Sequence, residues 1–254
     1  MIIDTHAHYD HRRFDTDRDT LIKSLPASGV SEIINVGCDL RSSKASVKLA
    51  EAYPFAYATV GVHPHDAKSL SEQSLKTLEA LCKHKKVVAY GEIGLDFFHN
   101  FSPHDTQRHW FRRQLELTHA LGLPVVIHSR DANEEVYNTL YASPVRKGVI
   151  HSFSGDAELA LAYVELGFHI GVGGVVTFDK TNKLQEAVAA IPLSKILLET
   201  DCPYLTPAPN RGKRNDSTQL VHVAAAIARI KGETVEAVCG QTSESARDLF
   251  GIKC

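Results

Sequence analysis

Eight short apolar runs separated by longer amphipathic stretches constrain this chain more than any other feature. They read as strands at Ile2–His8, Ile33–Gly37, Tyr57–Val62, Val87–Gly94, Pro124–His128, Gly148–His151, His169–Gly173 and Lys195–Asp201. Helical periodicity is expected between them, over Ser43–Ala50, Ser71–Lys83, His104–Leu121, Ala132–Leu140, Asp156–Leu166, Thr181–Ala190 and Thr218–Phe250. Strands apolar on both faces fit a parallel sheet. Eight of them in 254 residues fit one closed (β/α)8 TIM barrel spanning residues 1–254 as a single domain. A doubly wound open sheet is the alternative, but no Gly-x-Gly-x-x-Gly turn follows the first strand.

The formal net charge is −2, so no global basic field draws the chain to duplex nucleic acid, and any such contact is local. Five scattered cysteines (Cys38, Cys82, Cys202, Cys239, Cys254) form no Cys-x-x-Cys pair and are expected to be free thiols in a reducing compartment. No stretch has the apolar length of a membrane span and no leader precedes the first strand. The expectation is a cytoplasmic protein with no membrane contact and no obligate protein partner, a monomer.

The ends of the strands carry the chemistry. His6 and His8 are one residue apart in a strand and so share a face. In a barrel the active site lies at the carboxyl ends of the strands. There the sequence supplies His6 and His8 on the first strand, Glu92 on the fourth, His128 on the fifth, His151 on the sixth and Asp201 on the eighth. One such residue is more often a cap or a satisfied polar group; six at matching positions are hard to explain that way. Four imidazoles and two carboxylates exceed the three protein ligands of an open zinc site. They suit two divalent ions bridged by Glu92, one completed by His6, His8 and Asp201, the other by His128 and His151. Such a pair activates water and clamps attacking and leaving oxygens, which is hydrolytic equipment. Zn, Mn, Mg, Ni and Co are all compatible with these ligands.

These residues stand in motifs that resemble the TatD-like metal-dependent deoxyribonucleases, a branch of the amidohydrolase-like barrels. The motifs are Asp4-Thr5-His6-Ala7-His8, Gly61-Val62-His63-Pro64-His65, Gly91-Glu92-Ile93-Gly94-Leu95-Asp96, Ile127-His128-Ser129-Arg130-Asp131-Ala132, His151-Ser152-Phe153-Ser154-Gly155 and Glu199-Thr200-Asp201-Cys202-Pro203-Tyr204-Leu205-Thr206-Pro207, with Arg211-Gly212-Lys213-Arg214-Asn215 behind. The resemblance implies a TIM-barrel hydrolase whose metals are held by His6, His8, Glu92, His128, His151 and Asp201. It also implies cleavage of DNA phosphodiesters, often from the 3′ end, with single strands or ends as substrate. After Asn215 the family usually has Glu-Pro where this chain has Asp216-Ser217.

Glu92, Asp201 and His63 are the expected catalytic residues: Glu92 as bridge, Asp201 as ligand and proton acceptor, His63 on the scissile phosphate or the attacking water. His65, Arg130, Arg211, Lys213 and Arg214 are expected phosphate contacts, each weighed against an ordinary turn, ion-pair or surface role. Tyr204 and Phe97-Phe98 offer stacking surfaces for unpaired bases, or lid packing. The leading expectation is a 3′-5′ deoxyribonuclease using a two-metal hydroxide mechanism. The alternative is hydrolysis of esters, lactones or D-aminoacyl-tRNA at the same ions; a non-catalytic scaffold is disfavoured by the complete ligand set.

Overall fold

The computed structural model describes residues 1–253. Its strands are β1 (Ile2–Ala7), β2 (Val30–Asn35), β3 (Ala56–Val60), β4 (Val87–Asp96), β5 (Val125–Arg130), β6 (Gly148–Ile150), β7 (His169–Val172) and β8 (Ile196–Leu198). They pair in parallel in chain order as one sheet. The ring closes between its ends through a bridge from Ala7 to Cys202 and through backbone bonds from Asp201 N to His6 O and from His8 N to Cys202 O, both 2.9 Å. This is the expected (β/α)8 barrel.

The helices are α1 (Arg18–Ser24), α2 (Leu40–Ala52), α3 (Glu72–Cys82), α4 (His104–Leu121), α5 (Asn133–Ala142), α6 (Ala157–Glu165), α7 (Lys183–Ala190), α8 (Leu220–Lys231) and α9 (Val235–Phe250). Local chemistry sets several ends. Asp39 with Ser42 and Ser71 with Ser74 form reciprocal capping pairs that start α2 and α3. Gly122 and Gly232, both left-handed, stop α4 and α8. The turn at Gly232 splits the helical region expected over Thr218–Phe250 into α8 and α9. Helix α1 was not expected: its stretch is dense in Arg and Asp, and only Ile22 of it is buried. No helix among the described residues is long and apolar enough to cross a membrane.

Strand alternation explains how the barrel interior is shared between core and site. Val126 and Val149 belong to a buried cluster with Ile3, Ile34, Val88 and Leu197. Two residues further on, and so on the same face, stand His128 and His151. The side of each strand that is apolar low in the barrel is therefore ligand-bearing at its mouth. On β1 the parity changes. Asp4 and Ala7 pair with Ile33 and Asn35, three steps against two, and this extra residue turns His6 and His8 onto the face that Ile3 occupies below. The lower opening is closed by α9, whose Ala246, Leu249 and Phe250 join the interior cluster with Ile252.

Candidate metal centre

Glu92 sits where the chain makes room for it. Strand β4 runs past its expected end at Gly94 to Asp96, with a register irregularity between Tyr90 and Ile93. Gly91 on one side of Glu92 has φ 148°, and a Cβ there would lie 2.6 Å from Val126 O. A Cβ on Gly94 would clash with His128 O. These two glycines let β4 and β5 approach closely, so that the Glu92 carboxylate meets the ring of His128.

Around that carboxylate the expected ligands converge. Glu92 Oε2 lies 3.4 Å from His6 Nε2, while Glu92 Oε1 lies 2.8 Å from His128 Nδ1 and 3.9 Å from His151 Nε2. His6 Nε2 is 3.1 Å from His8 Nε2, and Asp201 Oδ1 is 3.3, 3.9 and 4.0 Å from His8, His151 and His6 Nε2. Asp201 follows β8, in the left-handed backbone region (φ 54°) that Asp tolerates better than most residues. Glu92 presents one oxygen to each of two groups of nitrogens.

The rear nitrogens of three of these rings face oxygens. His8 Nδ1 is 3.1 Å from Val36 O, His151 Nδ1 is 3.1 Å from Glu199 Oε1, and His128 Nε2 is 3.4 Å from Asp96 Oδ2. Each rear nitrogen faces an acceptor, and a proton held there would leave the front nitrogen a lone pair for an ion at the centre. His63 is the reverse. Its Nδ1 accepts the backbone N–H of His65, which puts the proton on Nε2, 3.7 Å from Glu92 Oε1. In that tautomer His63 offers a donor toward Glu92, although its ring also stands with Glu92 and His128 in a group whose candidate ligand atoms lie within 4.8 Å of one another.

Electrostatics fit cations. Burial alone would raise Glu92, but the imidazoles of His63, His151 and His6 outweigh it and hold the carboxyl well below the usual range. Asp201 is lowered in the same way, burial being outweighed by the hydrogen bond and charge of His8 and by His151. His151 moves the other way: burial opposes its charge, yet Glu199 and Glu92 lift it to about 9. Protons are thus drawn to where divalent cations would balance the same carboxylates. Donors of mixed imidazole and carboxylate type, 2.8–4.0 Å apart, match what ligand bonds of about 2.0–2.2 Å around a shared ion require.

The remaining sequence candidates are spread around the mouth. His65 Nε2 binds Asp96 Oδ2 at 2.6 Å, so a turn residue expected to meet phosphate is held by a carboxylate. Arg130 is exposed and stacks 5.0 Å over the Phe98 ring. Arg211 lies 3.7 Å over Phe178 and donates to Thr206 O, and Lys213 Nζ donates to Asn210 Oδ1. Arg214 is clamped bidentately by Asp17 at 2.6 and 2.8 Å, so its charge is largely answered within the chain.

Four residues matter to which the sequence assigns no role, three of them within its motifs. Asp96 gathers His65, His99 and His128 on one oxygen, and hydrogen bonds from His128 and His99 hold it well below the carboxylate range despite burial. Glu199, two residues before Asp201, accepts Ser152 N at 2.6 Å and backs His151. Cys38 Sγ is 3.8 Å from Glu92 Oε2. Asp4 is buried at the seam of the barrel, where burial raises it to about 6 against hydrogen bonds from Ser217 and Thr200. The departure at Asp216-Ser217 resolves here. Asp216 caps the short helix Ser217–Gln219, while Ser217 donates through Oγ to Asp4 Oδ2 at 2.6 Å and through N to Tyr9 Oη at 3.0 Å. Four of the five cysteines are free thiols; Cys254 lies outside the described residues.

Comparison with known proteins gives the family. The chain is 41% identical to the Bacillus subtilis (strain 168) protein named uncharacterized metal-dependent hydrolase YabD, over 99% of this chain and 100% of that one. It is 36% identical to the Escherichia fergusonii 3′-5′ ssDNA/RNA exonuclease TatD, over 94% and 95%. The crystal structure of YJJV, a TatD homologue from Escherichia coli K12, superposes with a TM-score of 0.93 at 32% identity, covering 99% of this chain and 98% of that chain. The family described as TatD related DNase matches residues 3–251, and the chain belongs to that family.

Proposed function

We propose that this protein is a divalent-metal-dependent hydrolase that cleaves nucleic acid phosphodiesters, removing nucleotides from the 3′ end of single strands. The observation that carries the reading is the Glu92 carboxylate, with one oxygen toward the His6 and His8 side and the other toward His128 and His151. Family membership and relatives named 3′-5′ ssDNA/RNA exonucleases support the substrate class.

His6, His8, Glu92 and Asp201 would hold one ion, and Glu92, His128 and His151 a second. When bound, the ions lower the pKa of water and neutralise charge on the phosphate and the leaving oxygen. The chain's own groups do the rest. Glu199 and Asp96 hold the rings of His151 and His128 in position. Asp201, ionised and partly open to the mouth, takes the proton of the attacking water. His63 donates from Nε2 to a phosphate oxygen. Lys213 and Arg130 supply local positive charge that a chain of net charge −2 otherwise lacks. Four free thiols among the described residues support a reducing, cytoplasmic setting.

The test is cleavage of 5′-labelled single-stranded DNA and RNA with Mg or Mn. Ladders shortening from the 3′ end, abolished by chelator and by Glu92→Ala, are expected. Intact strands under every metal, with hydrolysis of a carboxylic ester instead, would overturn the phosphodiesterase reading.

A further inference from the structure

Among the described residues four large aromatic side chains are exposed, and three of them stand on loops at the barrel mouth: Phe98 (55%), Phe101 (56%) and Tyr204 (46%). The fourth, Tyr141, is on α5. Exposed rings gathered at one opening call for an occupant.

The three fall into two groups, each tied to one end of the ligand set. Phe98 and Phe101 follow β4. His99 stacks on Phe101 with centroids 5.5 Å apart and 20° between planes, and His65 meets Phe101 edge-on at 4.8 Å. Both histidines are pinned to Asp96 Oδ2, the oxygen that also faces His128. One face of Phe101 is thus backed by a ring fixed to the Glu92–His128 end. Phe98 carries the Arg130 guanidinium 5.0 Å away, a cation beside an aromatic face.

Tyr204 belongs to the other end. Its backbone N–H bonds Asp201 O at 2.9 Å, and its hydroxyl lies 3.3 Å from His11 Nε2. His11 in turn is bonded through its backbone to His8. In a ring ordered β1 to β8, the loops after β4 and β8 face each other across the mouth.

We propose that Phe98 with Phe101, and Tyr204, are two base-stacking posts that receive the unpaired nucleobases on either side of the scissile phosphate. The proposal rests on the nucleic-acid reading above and deepens it. Exposed rings on loops at opposite sides of the mouth, with a guanidinium beside one of them, match a strand whose phosphate lies at the centre and whose bases splay to both sides. Base faces are available in this way only when the strand is unpaired, so the posts would make the site selective for single strands.

The test compares a single-stranded oligonucleotide with one carrying tetrahydrofuran abasic residues on both sides of the cleaved bond. Kinetics are measured for wild type, Phe98→Ala/Phe101→Ala, Tyr204→Ala, and the ring-keeping variants Phe101→Tyr and Tyr204→Phe. Base removal should raise KM about ten- to hundredfold for wild type. The alanine variants should raise KM on the normal strand, with kcat changed far less, and should lose most of the discrimination against the abasic strand. The ring-keeping variants should retain it. Equal losses on both strands, or no change in KM, would overturn the posts while leaving the nuclease reading intact. Wild type that hydrolyses bis(p-nitrophenyl) phosphate but no oligonucleotide would overturn both.

Discussion

His151 and His169 stand on neighbouring strands at opposite ends of the barrel, and their surroundings drive them apart. At the mouth His151 lies against Glu199 and Glu92 and is lifted to about 9. At the lower end His169, paired in register with the apolar Val149, is lowered to about 4 by burial and by Lys195. The mouth concentrates negative charge that protonated imidazoles or bound cations balance; the lower end is an apolar plug sealed by α9. The same strands serve both ends, and two residues of alternation separate stability at Val126 and Val149 from chemistry at His128 and His151. Stability and activity should therefore come apart under mutation.

The largest expected effect is at the mouth. Glu92→Ala should lower kcat by about 10³-fold or more while unfolding within a few degrees of wild type, read by strand cleavage and thermal melting with chelator present. At the lower end the pattern inverts. Phe250→Ala should cost about 3–5 kcal/mol in denaturant unfolding, again in chelator, with kcat of the folded enzyme nearly unchanged. A loss of activity at temperatures where this variant is fully folded would break the separation.

The residues behind the ligands come next. Glu199→Gln should weaken divalent-ion affinity about 10- to 100-fold by titration, because the ring of His151 loses its anionic partner. Asp96→Asn should act similarly through His128.

The smallest effect concerns acid. His169 binds its proton more weakly folded than unfolded. As pH falls from about 6.5 toward 4 the unfolded chain takes up a proton that the native chain refuses, and stability is lost in that window. His169→Gln should flatten this limb by about 1–2 kcal/mol, discounted for partial exposure, in denaturant melts at pH 4.5 and 7. An unchanged limb would place the acid sensitivity elsewhere.

Apolar runs and their ends carried most of the fold in the sequence, because a barrel strand buried on both sides leaves an unbroken hydrophobic signature. His6, His8, His128 and His151 were legible for the same reason: each closes or follows such a run. What escaped was set by geometry beyond one strand. Asp96 was passed over because Gly94 looked like the end of β4, whereas the strand continues past two glycines that fit only against β5. Glu199 lay in plain view two residues before Asp201, a spacing that signals a shared direction, but its backing of His151 depends on the approach of β6. Helix α1 had no apolar period to announce it. Arg214 looked like part of a free basic rim because nothing local pointed to Asp17, 197 residues away.

The most direct test of the central claim is the metal content of the reconstituted protein. Wild type and Glu92→Ala are loaded with Mn or Zn, freed of excess ion by gel filtration and measured by elemental analysis. A bridging Glu92 predicts two ions per chain in wild type and one or fewer in the variant, with the fold intact by circular dichroism. A single ion in wild type, or two retained without Glu92, would contradict the bridged centre.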